Sequence, residues 1–423
     1  MMMGDELSFL LPELFLACGA VLGLLVGSYL PRHKQWMVRL LAGLACSSGI
    51  VATVAGWAGD GSTVFEASYS VDVATNATRL VVLTSVLLVL ALSTDEGRGH
   101  RRESEFVVLL LLGGLGAVVL SGASDLMLLA AAYLLASVPL YALTGFAKDA
   151  PGTEATLKYY LLGALLGVTM LFGVMILFGV GGATAYAELT LSAAPKAAVA
   201  VGTIALLSGL LFKAGAVPAH FWVPDVTEGA RPEVAAFVTT IPKIGAVVAI
   251  YRFVAMTLAP TSLDWPLLIA VIAAATMTLG NLAAFFQTNV RRLLAYSTIS
   301  QVGYLLMAVA ATTKSTLALP SLLLYLAAYA ITNLGAFAVV CALPLAQSIN
   351  DYTGLRRRRP WLALSLVVCL LGLIGTPPTG VFAGKLTVFT AAFDAGLGWL
   401  VVLAAVNTVA SVFYYLRWIA PAM

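Results

Sequence analysis

Four lysines lie within or just inside long apolar stretches of the chain, at Lys158, Lys213, Lys243 and Lys385. An ammonium group at the centre of a bilayer costs at least ~2.5–3.5 kcal/mol on insertion scales, so such a residue needs a functional reason to be there. Burial lowers the pKa of a lysine, which brings it closer to the range where it gains and loses a proton. The lysines therefore predict a carrier of protons or cations.

Weaker candidates lie beside them. Lys158 is near one end of its apolar stretch, where a snorkelling side chain or an ion pair with Glu154 is an alternative to a functional role. His220 follows a proline, and because histidine titrates near neutral pH it indicates either a proton relay or a loop histidine bonded to backbone. Asp225 and Glu228 follow closely, as a loop cap or as part of a proton entry.

The composition restricts the class of protein. Hydrophobic residues make up 61% of the chain and charged residues 10%, whereas soluble domains have about 25% charged residues. The net charge of +3 comes with no basic face interleaved with aromatics, so no nucleic-acid partner is expected. No two of the four cysteines have Cys-x-x-Cys spacing, and no phosphate loop, dinucleotide motif or nucleophile elbow appears. We expect no metal site, no cofactor and no redox chemistry in this chain.

Continuous apolar runs without period-2 alternation predict an all-α polytopic membrane protein. We expect about 13 transmembrane helices, the first of them a retained helix and not a cleaved signal peptide. The predicted spans are 7–30, 37–57, 73–93, 105–121, 124–146, 157–180, 196–219, 233–257, 265–287, 293–312, 317–345, 361–391 and 397–419.

The predicted loops alternate between basic and poorly basic. The basic set comprises Arg32, Lys34, Arg39, Arg98, Arg101, Arg102, Lys148, Arg291, Arg292 and the run 356–359. The other set holds Lys196, Arg252 and Lys314. Basic loops lie inside, which predicts an external N-terminus and, for an odd number of spans, a cytoplasmic C-terminus. The run 356–359 is then a topology anchor, with an interaction site as the alternative.

Glycine and proline interrupt two predicted spans, at 211–222 and at 375–385. The interrupted spans are five apart, an odd number, so they cross the membrane in opposite directions. Paired broken helices in inverted repeats mark transport sites. We therefore predict a single membrane domain with three N-terminal helices (1–104) followed by two inverted five-helix repeats (105–257 and 258–423), each containing a broken helix.

Eleven short segments, in order along the chain, carry a resemblance to a known family. They are 154–163, 212–222, 224–229, 241–244, 280–281, 292–297, 303–306, 351–355, 375–379, 384–385 and 414–417. Together they resemble the N-type antiporter-like subunit of respiratory complex I, the NADH-quinone oxidoreductase. The Lys-Tyr-Tyr-Leu-Leu-Gly run at 158–163 and the Pro-Lys pair at 242–243 favour the N-type over the L- and M-types and the related Mrp antiporter subunits.

The resemblance implies proton translocation in the membrane arm of that complex, in a bacterial plasma membrane. It implies that Lys213 and Lys243 form the central proton path, that Lys385 lies on the exit side, and that Lys158 joins neighbouring polar groups. NAD, flavin, iron–sulfur clusters and quinone would bind partner subunits. The implied partners are the M-, K-, J-, A- and L-type membrane-arm subunits and the lipid bilayer.

Three departures from the family pattern are visible. The family usually has a glutamate in the fifth span, paired with the lysine of the seventh, and aligning Ser137-Val-Pro-Leu-Tyr141 with the family pattern puts that position at Leu134. Lys213 would then lack its counter-ion. The family commonly has a fourteenth span that this sequence does not show, and Gln301 stands where a histidine is common. Two alternatives therefore stay open: a cation/proton antiporter, stand-alone or part of another assembly, and a structural paralogue with reduced pumping.

Overall fold

The computed structural model describes residues 3–57, 61–93 and 102–423. Most of this part of the chain is helical, and the only strands in it are a small antiparallel pair, Ser62–Val64 and Tyr69–Val71. The helices are α1 Met3–Phe9, α2 Leu11–Tyr29, α3 Trp36–Ala55, α4 Val73–Leu92, α5 Glu103–Gly122, α6 Leu126–Leu135, α7 Val138–Thr144, α8 Ala150–Gly181, α9 Lys196–Ala214, α10 Trp222–Gly229, α11 Pro232–Phe253, α12 Trp265–Ala284, α13 Val290–Ala310, α14 Ala318–Cys341, α15 Leu355–Arg358, α16 Pro360–Ile374, α17 Gly380–Asp394 and α18 Gly398–Ala422.

The all-α polytopic fold class is confirmed. Twelve helical stretches in the described residues are long and apolar enough to cross a membrane, so the count of thirteen spans is not confirmed. The stretch predicted as 361–391 consists of the two short helices α16 and α17. The predicted span 124–146 is also divided, into α6 and α7. The basic residues Arg98 and Arg101 lie outside the described residues.

Two helices form the centre of the bundle. Nearly all residues of α11 and α13 are buried, whereas only about a third of those in α8 and α18 are. Lys243 lies on α11, so it is enclosed by other helices on every side. The burial pattern therefore separates a protein interior, where polar groups can be paired, from a periphery suited to lipid or other subunits.

Buried ion pairs attach the N-terminal helices to this centre. The Arg79 guanidinium on α4 donates two hydrogen bonds to the Glu13 carboxylate on α2, at 2.7 and 2.8 Å. Arg252, which the sequence placed in a loop, lies in α11 and donates to both oxygens of Asp72 at 2.7 and 2.9 Å. Burial alone would raise the pKa of Asp72, but the Arg252 guanidinium holds it below its usual range. Arg252 is thus a tertiary contact and gives no information about topology.

Candidate functional site

Three of the four candidate lysines are buried, and all three share one arrangement. In each, the ammonium donates a hydrogen bond to a backbone carbonyl at the C-terminal end of a helix that stops inside the membrane region. The bonds run from Lys213 Nζ to Ala136 O (3.1 Å), from Lys243 Nζ to Ala214 O (3.1 Å) and from Lys385 Nζ to Ile374 O (2.9 Å). The acceptors lie at the ends of α6, α9 and α16.

A helix end is a suitable partner for an ammonium group. The last carbonyls of a helix have no intrahelical partner, and the macrodipole places about half a negative charge there. The dipole is worth up to ~2 kcal/mol in partly buried geometry, and a hydrogen bond to a charged group about 1.5–3 kcal/mol. Within the described residues none of these lysines forms an ion pair with a carboxylate. Backbone dipoles therefore provide the negative charge at all three sites.

Each buried lysine also faces an aromatic ring. The ammonium-to-centroid distances are 5.2 Å from Lys213 to Tyr133, 5.9 Å from Lys243 to Trp222 and 4.3 Å from Lys385 to Tyr304. A cation within about 6 Å of a ring face is attracted by the ring quadrupole, by about 2 kcal/mol where water is excluded. The site thus consists of three similar units of lysine, helix end and ring.

Glycine ends two of these helices. Gly215 follows α9 with φ +75°, and Gly375 follows α16 with φ +85°, a left-handed conformation that glycine adopts without strain. Each end has paired i→i−5 and i→i−3 hydrogen bonds that satisfy two earlier carbonyls and leave those of Ala214 and Ile374 to the lysines. A Cβ at Gly215 would lie 2.7 Å from Lys243 Nζ. The predicted breaks at 211–222 and 375–385 are confirmed, and they create the lysine sites.

Leu134, the position expected to hold the family's glutamate, lies on the exposed side of α6 in this chain. Leu134 is 51% exposed and lines an open apolar groove between α6–α7 and α8, whereas Lys213 is fully buried. The adjacent Tyr133 faces Lys213. Neighbouring helix positions differ by about 100° in direction, so Tyr133 and Leu134 point to different sides of α6.

Lys158 differs from the other three. Its side chain is 46% exposed and forms ion pairs with Glu154 at 2.8 Å and Asp225 at 2.9 Å. Arg292 joins Asp225 to Glu228, at 2.9 and 2.8 Å. This charged cluster lines a polar cavity of 570 Å³ on the side of the bundle that carries the basic loops. Lys158 therefore lies at the opening of this polar cavity and does not belong with the three buried lysines.

Asp225 can be assigned a charge state. Partial burial would raise the pKa of Asp225, but hydrogen bonds from Lys158 and Arg292 hold it below its usual range. It stays a carboxylate at neutral pH, so we interpret it as a fixed anion that orders the mouth of the cavity.

His220 is buried in the segment between α9 and α10. Its ring lies 4.4 Å from that of Phe221, and its Nδ1 makes no hydrogen bond with the described residues. His220 lies in the break that follows α9, the helix whose last carbonyl accepts the hydrogen bond from Lys243.

Polar side chains, of which sequence reasoning singled out only Gln301, lie between the α11 lysine and the second broken helix in two hydrogen-bonded groups. The hydrogen bonds are Asn333 Nδ2 to Thr240 Oγ1 (2.8 Å), Tyr329 OH to Thr239 O (2.8 Å), Tyr329 OH to Thr298 Oγ1 (3.2 Å), Tyr325 OH to Gln301 Oε1, and Gln301 Nε2 to Leu373 O (2.9 Å). Thr239 and Thr240 lie one turn before Lys243. Leu373 directly precedes Ile374, whose carbonyl accepts from Lys385. We call these side chains the polar link. Amides within apolar spans were its only signal in the sequence.

Comparison with known proteins gives consistent matches. Residues 123–411 match the family model described as NADH:quinone oxidoreductase/Mrp antiporter, TM. The chain is 58% identical over 424 residues to NADH-quinone oxidoreductase subunit N 1 of Streptomyces griseus, covering all of this chain and 90% of the relative. It is 50% identical to NADH-quinone oxidoreductase subunit N of a Mycobacterium species, covering 97% and 87%.

Solved structures agree. A chain of respiratory complex I from Thermus thermophilus superposes with a TM-score of 0.83 at 30% identity, covering 97% of this chain and 90% of that one. A chain of the Mrp complex from a Dietzia species superposes with a TM-score of 0.87 at 23% identity, covering 98% and 80%. The second likeness concerns the fold alone.

Proposed function

We infer the function from the family: the chain belongs to the NADH:quinone oxidoreductase/Mrp antiporter membrane family, as an N-type antiporter-like subunit of NADH-quinone oxidoreductase. It is a proton-translocating subunit of the membrane arm, and other membrane-arm subunits are its partners. Its activity is to move protons while NADH oxidation and quinone reduction take place elsewhere in the complex.

We further propose which groups carry the protons. Lys213, Lys243 and Lys385 bind and release them in turn, and the polar link connects the second lysine to the third. Lys158 and the charged cavity form the entry, with His220 as a relay beside Lys243. The observation that carries this proposal is that three buried lysines are held by helix ends and aromatic rings, so that each can lose its proton without leaving an unpaired carboxylate.

The remaining assignments are also proposals. We place NAD, flavin, iron–sulfur clusters and quinone in partner subunits, and we classify this chain as the non-redox part of a translocase. The N-terminus lies outside the bacterial plasma membrane and the C-terminus inside. The repeats are 105–257 and 258–423, which the matching glycine-terminated helix ends at 215 and 375 support.

The test is proton pumping by the assembled complex in vesicles, measured as protons moved per electron. Lys243→Ala should lower this ratio, because Lys243 is the carrier between Lys213 and Lys385 in the proposed path, while NADH oxidation persists. Lys314→Ala, which removes an exposed lysine, is the matched control. An unchanged ratio in Lys243→Ala would contradict the assigned role and favour the structural paralogue. Sodium–proton exchange by the purified chain would favour the antiporter.

A further inference from the structure

We propose that the break between α6 and α7, set by Pro139, supplies the negative charge that holds the protonated form of Lys213. Pro139 is thereby a positioning residue for proton transfer in this chain. The inference rests on the proposed role of Lys213 as a proton carrier. It adds a residue that neither the sequence motifs nor the comparisons identify.

The backbone around the break carries the argument. Proline has no N–H, so Pro139 cannot bond the carbonyl four residues earlier, and helices usually end before such a position. The Leu140 N–H bonds Ser137 O at 3.0 Å, one residue short of the α-helical partner, Ala136 O. That carbonyl is the one that accepts from Lys213 Nζ at 3.1 Å. The break thus releases the acceptor that the lysine uses.

The surroundings of Lys213 leave few other candidates. The side chain has no exposed surface, its ammonium donates a hydrogen bond to this carbonyl, and the Tyr133 ring lies 5.2 Å away. The Ser137 hydroxyl donates to Tyr133 O at 2.6 Å, and within the described residues its oxygen accepts no hydrogen bond from the Lys213 ammonium. The protonated lysine therefore depends on one helix end and one ring.

This arrangement has a chemical consequence. A carboxylate partner would itself bind protons, and two such groups titrate as a coupled pair. A backbone carbonyl does not titrate in this range. A proton forms an N–H bond with the Nζ lone pair, and a proton leaves when one of the three equivalent N–H bonds breaks and returns the lone pair to Nζ. The proton transfer at Lys213 should follow the titration of a single group.

The experiment uses the assembled complex, with protons per electron measured across a pH series. Pro139→Ala lets α6 continue, so Leu140 N–H can occupy Ala136 O, and the ratio should fall to that of Lys213→Met. Adding Tyr133→Glu, which supplies a carboxylate on the correct face, should restore the ratio and broaden the pH profile to that of a coupled pair. Pro195→Ala, at an exposed proline before α9, is the matched control.

Two results would overturn the proposal. One is an unchanged ratio in Pro139→Ala. The other is a further fall when Pro139→Ala is combined with Lys213→Met, because the effect would then not act through the lysine. A normal ratio in Lys213→Met alone would instead refute the proposed function.

A second pair of variants keeps the proposal testable if Pro139→Ala fails to assemble. Tyr133→Glu alone should broaden the pH profile, whereas Leu134→Glu, which points into the apolar groove, should leave it unchanged. The reverse outcome would place the counter-charge on the other face of α6 and refute the geometry.

Discussion

At the scale of residues, the three buried lysines Lys213, Lys243 and Lys385 are stabilised by the same kinds of group. A lysine alone in hydrocarbon is costly, and an ion pair with a buried carboxylate would add a second desolvated charge. A helix end and an aromatic ring stabilise the ammonium with groups that are already part of the fold. These partners stabilise the ammonium only moderately, so the lysine can bind a proton and still release it.

Lys385 allows proton binding to be separated from positive charge. Its ammonium lies 2.9 Å from Ile374 O and 4.3 Å from the Tyr304 ring. Lys385→Arg keeps the charge, but guanidinium does not lose its proton in proteins. We expect it to reduce protons per electron as far as Lys385→Met does. If the arginine variant pumps normally, the group acts as a fixed charge and not as a carrier.

At the scale of elements, a helix that breaks inside the membrane region leaves free C-terminal carbonyls there, whereas the carbonyls of a continuous helix are all bonded within it. Backbone that leaves helical geometry at membrane depth is tolerated only when it is buried in protein or faces water. The ends of α6, α9 and α16 are buried in protein, and the free carbonyl at each end accepts a hydrogen bond from a lysine. Between them, α13 and α14 contribute hydroxyl and amide groups that continue the polar route.

The polar link leads to a prediction about Tyr329. Its hydroxyl bonds Thr239 O and Thr298 Oγ1 between α11, α13 and α14. Tyr329→Phe should slow proton transfer by about tenfold, which corresponds to one lost hydrogen bond of about 1.4 kcal/mol in the rate-limiting step. Stopped-flow acidification of vesicles containing the complex measures this rate.

The control is Tyr186→Phe, which removes another buried phenol, one whose hydroxyl has no partner among the described residues. Equal slowing in both variants would indicate a general packing defect and exclude the polar link as the route.

At the scale of the whole molecule, a fully enclosed core is surrounded by helices with wide apolar outer faces. The pair Glu13–Arg79 fixes the N-terminal helices to one another, and Asp72–Arg252 fixes them to α11. Removing one partner of the buried Glu13–Arg79 pair costs about 3–5 kcal/mol. Asp72 is partly exposed, so its pair with Arg252 contributes less. The outer faces are left for lipid and for neighbouring subunits.

The proposed orientation can be tested with single cysteines in a background lacking the four native ones. The two substitutions are Thr261→Cys and Leu345→Cys. Thr261 lies between α11 and α12, and Leu345, which is 93% exposed, lies between α14 and the basic run 356–359. In right-side-out vesicles a membrane-impermeant maleimide should label the first and not the second. The opposite pattern would invert the orientation.

The sequence by itself determined the class, the family and the important residue types. Few charges over long apolar runs require a lipid solvent, and glycine–proline interruptions beside lysines mark broken helices because those residues cannot continue a helix. The tertiary structure decided what the lysines bond. Ala136, Ala214 and Ile374 are unremarkable in the sequence, since any residue has a carbonyl, and only the fold shows which carbonyl a helix leaves free. It also decided that Tyr133 and not Leu134 faces Lys213, because direction around a helix near a break depends on where that helix ends.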